Sequence, residues 1–131
     1  MPALKVRNDE STTSAELEWA LTTLSENVLV VGPVEVVLPI VRVCLSDFVT
    51  VPADGIPPDH TGTFVVSNAA LLTPDHQDAL AGRLDRGPRV RIVTLSPAAL
   101  YTLVKTGDFD ETLYYRLNTI TIDFGMASAS K

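Results

Sequence analysis

Three short stretches of this 131-residue chain carry residue types that could do phosphate chemistry. The first is Gly32-Pro33-Val34-Glu35-Val36-Val37-Leu38, directly after an apolar run. A phosphate-gripping loop in that place needs glycines, so that backbone N–H groups can approach oxygens, and a lysine for the terminal phosphates. Here one glycine remains, Pro33 removes a donor, Glu35 puts negative charge where phosphate would sit, and no lysine follows. The second is Ser67-Asn68, where magnesium chemistry would require carboxylates; an asparagine hydrogen-bonds but adds no charge to hold a metal. The third is Leu95-Ser96-Pro97. General acid–base pairs and Ser/His/Asp or Cys/His sets have no supporting context. His60 falls in a loop and His76 in the first turn of a helix, where solvation or capping explains each better than base catalysis. Two histidines and one cysteine give no zinc spacing. Cys44 stands alone, which excludes an intrachain disulfide, and reads as a small packed hydrophobe. No cofactor and no metal site are therefore expected.

Those stretches must be positioned by a framework, and the apolar pattern supplies one. Val28–Val31, Phe48–Val51, Thr63–Val66, Val90–Thr94 and Thr119–Phe124 read as five strands, the first fully apolar and so suited to an interior strand covered on both faces. Thr13-Ser14-Ala15-Glu16 offers a capping box ahead of Leu17, Ala20, Leu21 and Leu24, an amphipathic helix running to about Ser25. Trp19 lies off that stripe, either as a partner contact or partly packed on a neighbouring element. Val34 to Leu45 is ambiguous between strand and helix; Pro39 suits a helix only if it begins near Leu38. Thr73-Pro74 caps a helix that ends at Gly87-Pro88. Ser96-Pro97 is expected to cap another, ending at Gly107, and Phe109 to Leu117 a further short one. Strands separated by helices mean a three-layer α/β fold with a mostly parallel five-stranded sheet, and ligands in such sheets sit at the carboxyl ends of the strands. Residues 1–10 and 125–131 read as flexible tails around one domain, 11–124.

Composition narrows the classes further. Hydrophobic residues make up 46% and charged residues 20%, enough to bury a core, and the net charge is −6. That balance opposes direct nucleic-acid binding, which needs a basic footprint. The longest apolar stretch, Val28 to Leu45, is interrupted by Gly32, Pro33, Glu35, Pro39 and Arg42, too polar for a membrane span. A soluble, cytoplasmic protein is expected.

The segment Leu103-Val104-Lys105-Thr106-Gly107-Asp108-Phe109-Asp110-Glu111-Thr112-Leu113-Tyr114-Tyr115-Arg116-Leu117-Asn118 resembles a signature of the AAA+ domain of sigma-54-dependent transcription activators, the bacterial enhancer-binding proteins. That signature runs roughly L-V-x-x-G-x-F-R-E-D-L-Y-Y-R-L-N, and the match from Leu113 to Asn118 is unbroken. Gly62–Val66, the Gln77 helix with Gly87, Val90–Val93 and Val28–Gly32 resemble further family stretches, so the likeness covers about residues 28–124. It implies a P-loop NTPase core, here without the helical lid.

The departures lie at the chemistry. Leu38 occupies the position of the family's nucleotide-loop lysine, Ser67-Asn68 that of its acidic pair, Pro97 that of its sensor asparagine, and Asp110 that of its first arginine. Between Val51 and Gly62 there is no room for the long insertion that grips the sigma factor. The degenerate positions Gly32, Leu38, Ser67, Asn68 and Pro97 imply a pseudo-ATPase that works by protein contact, tuning an intact sigma-54 activator or self-associating. In the family the retained arginine reaches a neighbouring subunit, so Tyr114, Tyr115, Arg116 and Asn118 are the expected interaction residues. The alternative is that the aromatic pair is partly core and Arg116 pairs locally with Asp110 or Glu111. Two other functions stay open: a nucleotide sensor or ATPase with an altered site around Gly32, Asn68 and Ser96, and a pseudo-receiver signalling domain.

Overall fold

A computed structural model describes residues 4–5, 14–45, 48–51, 62–86 and 89–124. In chain order the elements are β1 (Leu4–Lys5), α1 (Ser14–Thr23), β2 (Val28–Val31), α2 (Val34–Cys44), β3 (Phe48–Val51), β4 (Gly62–Val66), a 3₁₀ turn (Ala69–Leu71), α3 (Pro74–Asp85), β5 (Val90–Ser96), α4 (Tyr101–Lys105), α5 (Glu111–Leu117) and β6 (Ile120–Asp123). Every strand pairing is parallel, and the sheet order is β1-β6-β2-β5-β4-β3. The five expected strands all form. A sixth is added at the edge by Leu4–Lys5, inside the segment read as a tail, which pairs with Ile120 and Thr121. The other residues of both tails, Thr13 of the capping box, the 52–61 loop with His60, and Gly87-Pro88 lie outside the described residues.

β2 is central, and all four of its side chains are buried. Alternation divides them between two cores. Val28 and Val30 join Leu17, Leu21, Val37, Val41, Val93 and Ile122 under α1 and α2. Leu29 and Val31 join Phe64, Ile92, Leu100, Leu113 and Leu117 under α3 and α5. The three-layer arrangement follows from this: a strand apolar on both faces must be covered twice. Each fully buried Val, Leu or Phe contributes about 1.5–3 kcal/mol of transfer free energy, so the framework needs no polar site to hold it.

The ambiguous segment is a helix, but it begins at Val34 rather than near Leu38. It buries Val37 and Val41 against the sheet and α1, with Leu38 partly packed beside them. Pro39 therefore sits inside the helix, not in its first turn, and removes the N–H that would serve the Glu35 carbonyl. The interruption falls on the exposed side, where the core is not disturbed. Trp19 is 55% exposed and Val43 81% exposed, so the outer faces of α1 and α2 keep large apolar side chains in the open.

The expected cap at Ser96-Pro97 does not form. Ser96 is the last residue of β5, buried, and its hydroxyl donates to the Ala98 carbonyl at 2.6 Å. α4 starts five residues later with no side-chain cap. The strand pairing of Ser96 with Val31 prevails over the local capping preference. Thr73 does cap α3 as expected. Its side chain accepts from the His76 N–H at 3.1 Å, and the His76 ring accepts from the Thr73 N–H at 3.4 Å, so His76 has a capping role.

Candidate functional site

The carboxyl edge of the sheet is where ligand chemistry was expected, and its backbone is engaged. The Gly32 N–H donates to the Ser96 carbonyl at 2.9 Å, and the Phe124 N–H donates to the Val31 carbonyl at 2.7 Å. A Cβ on Gly32 would lie 2.1 Å from the Phe124 carbonyl oxygen. This glycine serves a close backbone approach at the strand end. The Pro33 carbonyl accepts from Val36 and Val37 at 3.0 and 2.9 Å, leaving the Val34 and Glu35 N–H groups at the head of α2, beside the exposed Glu35 carboxylate. Leu38 is partly buried and packs on the core. The Asn68 side chain accepts from the Ala70 N–H at 3.1 Å, so it caps the 3₁₀ turn. Ser67 is half-buried beside it, and Pro97 is exposed. Among the described residues no group of three or more His, Cys, Asp or Glu side chains could hold a metal ion.

The signature segment is built around a buried glutamine. Gln77 Nε2 donates to the carbonyls of Leu72 at 3.1 Å and Asp108 at 3.0 Å, while its Oε1 accepts the Asp110 N–H at 2.8 Å. Gly107 takes φ +86°, the left-handed value a glycine adopts freely, to turn the chain out of α4. Asp110, where the family has an arginine, caps α5 by accepting the Leu113 N–H at 2.8 Å. Phe109, Leu113 and Leu117 are buried. The motif thus doubles as a folding unit, in which Gln77 joins α3 to the loop before α5.

The four expected interaction residues do not share one exposed surface. Tyr115 is 57% exposed and Tyr101 40% exposed, and the rings of Tyr101, Tyr114 and Tyr115 meet in sequence, the first pair tilted and the second edge-on, with centroids 5.5 and 5.1 Å apart. Tyr114 is half-buried. Its hydroxyl accepts from Asn118 Nδ2 at 2.9 Å, and burial pushes its pKa up, with the Asn118 bond acting in the opposite direction. Asn118 is buried and also accepts from the Thr121 hydroxyl, so it ties α5 to β6. Arg116 pairs with Asp85 of α3, not with Asp110 or Glu111, because the cap role holds Asp110 against the start of its own helix.

At the opposite, amino edge of the sheet lie residues that sequence patterning did not single out. Asn27 Nδ2 donates to the Arg116 carbonyl at 2.9 Å, and its Oδ1 accepts the Ile92 N–H at 2.8 Å. Arg91 donates from Nε to the Glu26 carbonyl at 2.9 Å and from Nη1 to the Leu21 carbonyl at 3.0 Å, closing the end of α1. A lone charged side chain inside an otherwise apolar strand was the available signal.

A parallel sheet in this strand order, with helices on both faces and a glycine turn into α2, defines a P-loop, AAA+-like core. The Sigma-54 interaction domain model matches residues 41–125, and the chain belongs to that family. The structure is similar to NtrX from Brucella abortus solved in complex with ATP, with TM-score 0.62 and 18% identity over 84% of this chain. It is similarly like the same protein in complex with ADP, with TM-score 0.64 and 18% identity. The chain spans 34–35% of the length of those NtrX chains. Comparison with curated proteins gives no match. Among the described residues no helix is long and apolar enough to cross a membrane.

Proposed function

We propose that this chain is a AAA+-like regulatory module that does not hydrolyse nucleotide and acts through contact with another protein, either an intact sigma-54-dependent activator or a second copy of itself. The observation that carries this reading is the Gly32 N–H bonded to the Ser96 carbonyl, at the point where a phosphate would need it. Pro33 offers no donor, Leu38 packs inward, and Ser67-Asn68 brings no charge for magnesium. Each missing contact of this kind is worth several kcal/mol of transition-state stabilisation, and three missing together leave no competent phosphoryl transfer.

The family signature is kept where it builds structure and lost where it does chemistry. That division favours a scaffold retained for its surface. The exposed Tyr101 and Tyr115, and Arg116 in its half-exposed pair with Asp85, supply the aromatic and guanidinium types that anchor protein interfaces.

Co-purification with the AAA+ domain of a sigma-54 activator tests the reading, together with size-exclusion chromatography of the chain alone. Association or self-association that is lost in Arg116→Ala and Tyr115→Ala is the expected result. Calorimetry with ATP, ADP and GTP in the presence of magnesium tests the nucleotide-sensor alternative. Micromolar affinity or measurable ATP turnover would overturn the inactive reading.

A further inference from the structure

We propose that the cleft beneath the amino edges of β2, β4, β5 and β6 is a binding site for a small molecule carrying a phosphomonoester-type dianion, gripped by Arg89 and Arg91. The cleft measures about 780 Å³, within the range of small-molecule sites. Asn27, Thr63, Arg89, Arg91, Arg116 and Thr119 are among its lining residues. It lies at the end of the sheet opposite Gly32, so the proposal stands apart from the reading above.

Charge is the first argument. The chain as a whole carries −6, yet this cleft is lined by three arginines against one acidic residue, Glu26. Arg116 is already paired with Asp85. Arg89 is exposed and has no hydrogen-bond or ion-pair partner among the described residues. Arg91 spends two donors on backbone carbonyls, which satisfies those N–H groups but leaves its charge without an anionic hydrogen-bond partner among the described residues.

The second argument is independent of the first. Arg91 Nη2 is buried and has no hydrogen-bond partner. Orphaned buried donors on a charged group are rare and costly; this one is closed to solvent, so an anion held by Arg89 reaches it only when the cleft wall shifts to admit an oxygen. The bonds to Glu26 and Leu21 already fix the guanidinium, so little side-chain freedom remains to be lost on binding. Burial also moves Arg91 below its ordinary range, with Glu26 opposing, a destabilisation that an incoming anion relieves. Arginine forks match the oxygens of a phosphate group, and two of them on one strand edge suit a doubly charged head. The Thr63 and Thr119 hydroxyls, which make no hydrogen bond among the described residues, add neutral donors along the walls.

The test uses the whole chain at low salt, titrated with inorganic phosphate and with pyrophosphate by calorimetry and by amide chemical shifts. Saturable binding is expected, with shifts concentrated at Thr63, Arg91 and Thr119. Arg89→Gln leaves every described hydrogen bond in place, so it should fold normally and weaken binding by about tenfold, the loss of one charge-assisted contact. Absence of saturable binding, binding that Arg89→Gln leaves unchanged, or shifts centred on Gly32 and Asn68 would each overturn the proposal.

Discussion

The Gln77 side-chain oxygen accepts the Asp110 N–H at 2.8 Å, across 33 positions of sequence. With Nε2 on the Asp108 carbonyl, one amide grips both sides of Phe109 and sets where α5 begins. Two stretches that resemble separate family motifs are therefore one structural unit.

Gln77→Ala should destabilise the fold by about 2 kcal/mol, because it leaves a part-buried N–H and two carbonyls, one of them buried, without partners. Urea unfolding gives the value. A loss well below 1 kcal/mol would mean that the loop holds itself.

Gly32→Ala drives a Cβ against the Phe124 carbonyl, a backbone group that cannot swing aside. A destabilisation of about 1–3 kcal/mol is expected from overpacking of this kind. Gly107→Ala meets open space and bears only the strain of φ +86°, so it should cost about 1 kcal/mol. Thermal unfolding should rank Gly32 as the more sensitive site.

Pro39→Ala should stabilise the protein by about 2 kcal/mol. It restores the donor to the Glu35 carbonyl on an exposed helix face, and the larger freedom of the unfolded chain returns part of the gain. A raised urea midpoint with an unchanged slope is the expected signature.

Arg116→Ala removes an ion pair whose side chains are 35% and 65% exposed. Such pairs are worth about 0.2–1 kcal/mol, so stability should hardly change. Any large loss of association in this variant would then report contact chemistry and not unfolding.

Alkaline pH should weaken the fold through Cys44 and Tyr114. Burial, with Glu18 adding to it, raises the Cys44 thiol above its usual 9.0, and burial raises Tyr114 above 10.0. The folded state then holds protons that the unfolded chain releases, so stability is complete below pH 9 and declines as pH rises through the folded-state values. Unfolding free energies measured across that range should fall in the wild type and fall less in Cys44→Ala.

Much of the framework was legible in order along the chain. Apolar β-branched runs marked the five main strands, Leu17, Ala20 and Leu21 marked the buried stripe of α1, and Thr73-Pro74 marked the start of α3. These are local matters of spacing and side-chain type, which burial and capping translate directly into strands and helices. Val34–Leu45 resisted because its apolar residues satisfy both periods, and packing against α1 and the sheet chose the helix despite Pro39. Ser96 misled because a strand pairing outweighed a local cap.

The residue types of Gly32–Leu38 and of Ser67-Asn68 were plain in the sequence and needed no coordinates. The partners of Gln77, the pairing of Arg116 with Asp85, the engagement of the Gly32 N–H and the meeting of Arg89, Arg91 and Thr63 below the sheet were not. Each joins residues remote in sequence or depends on the order β6-β2-β5-β4. That order is set by which crossovers bury both faces of β2 at once, a property of the assembled layers that no short stretch of chain carries.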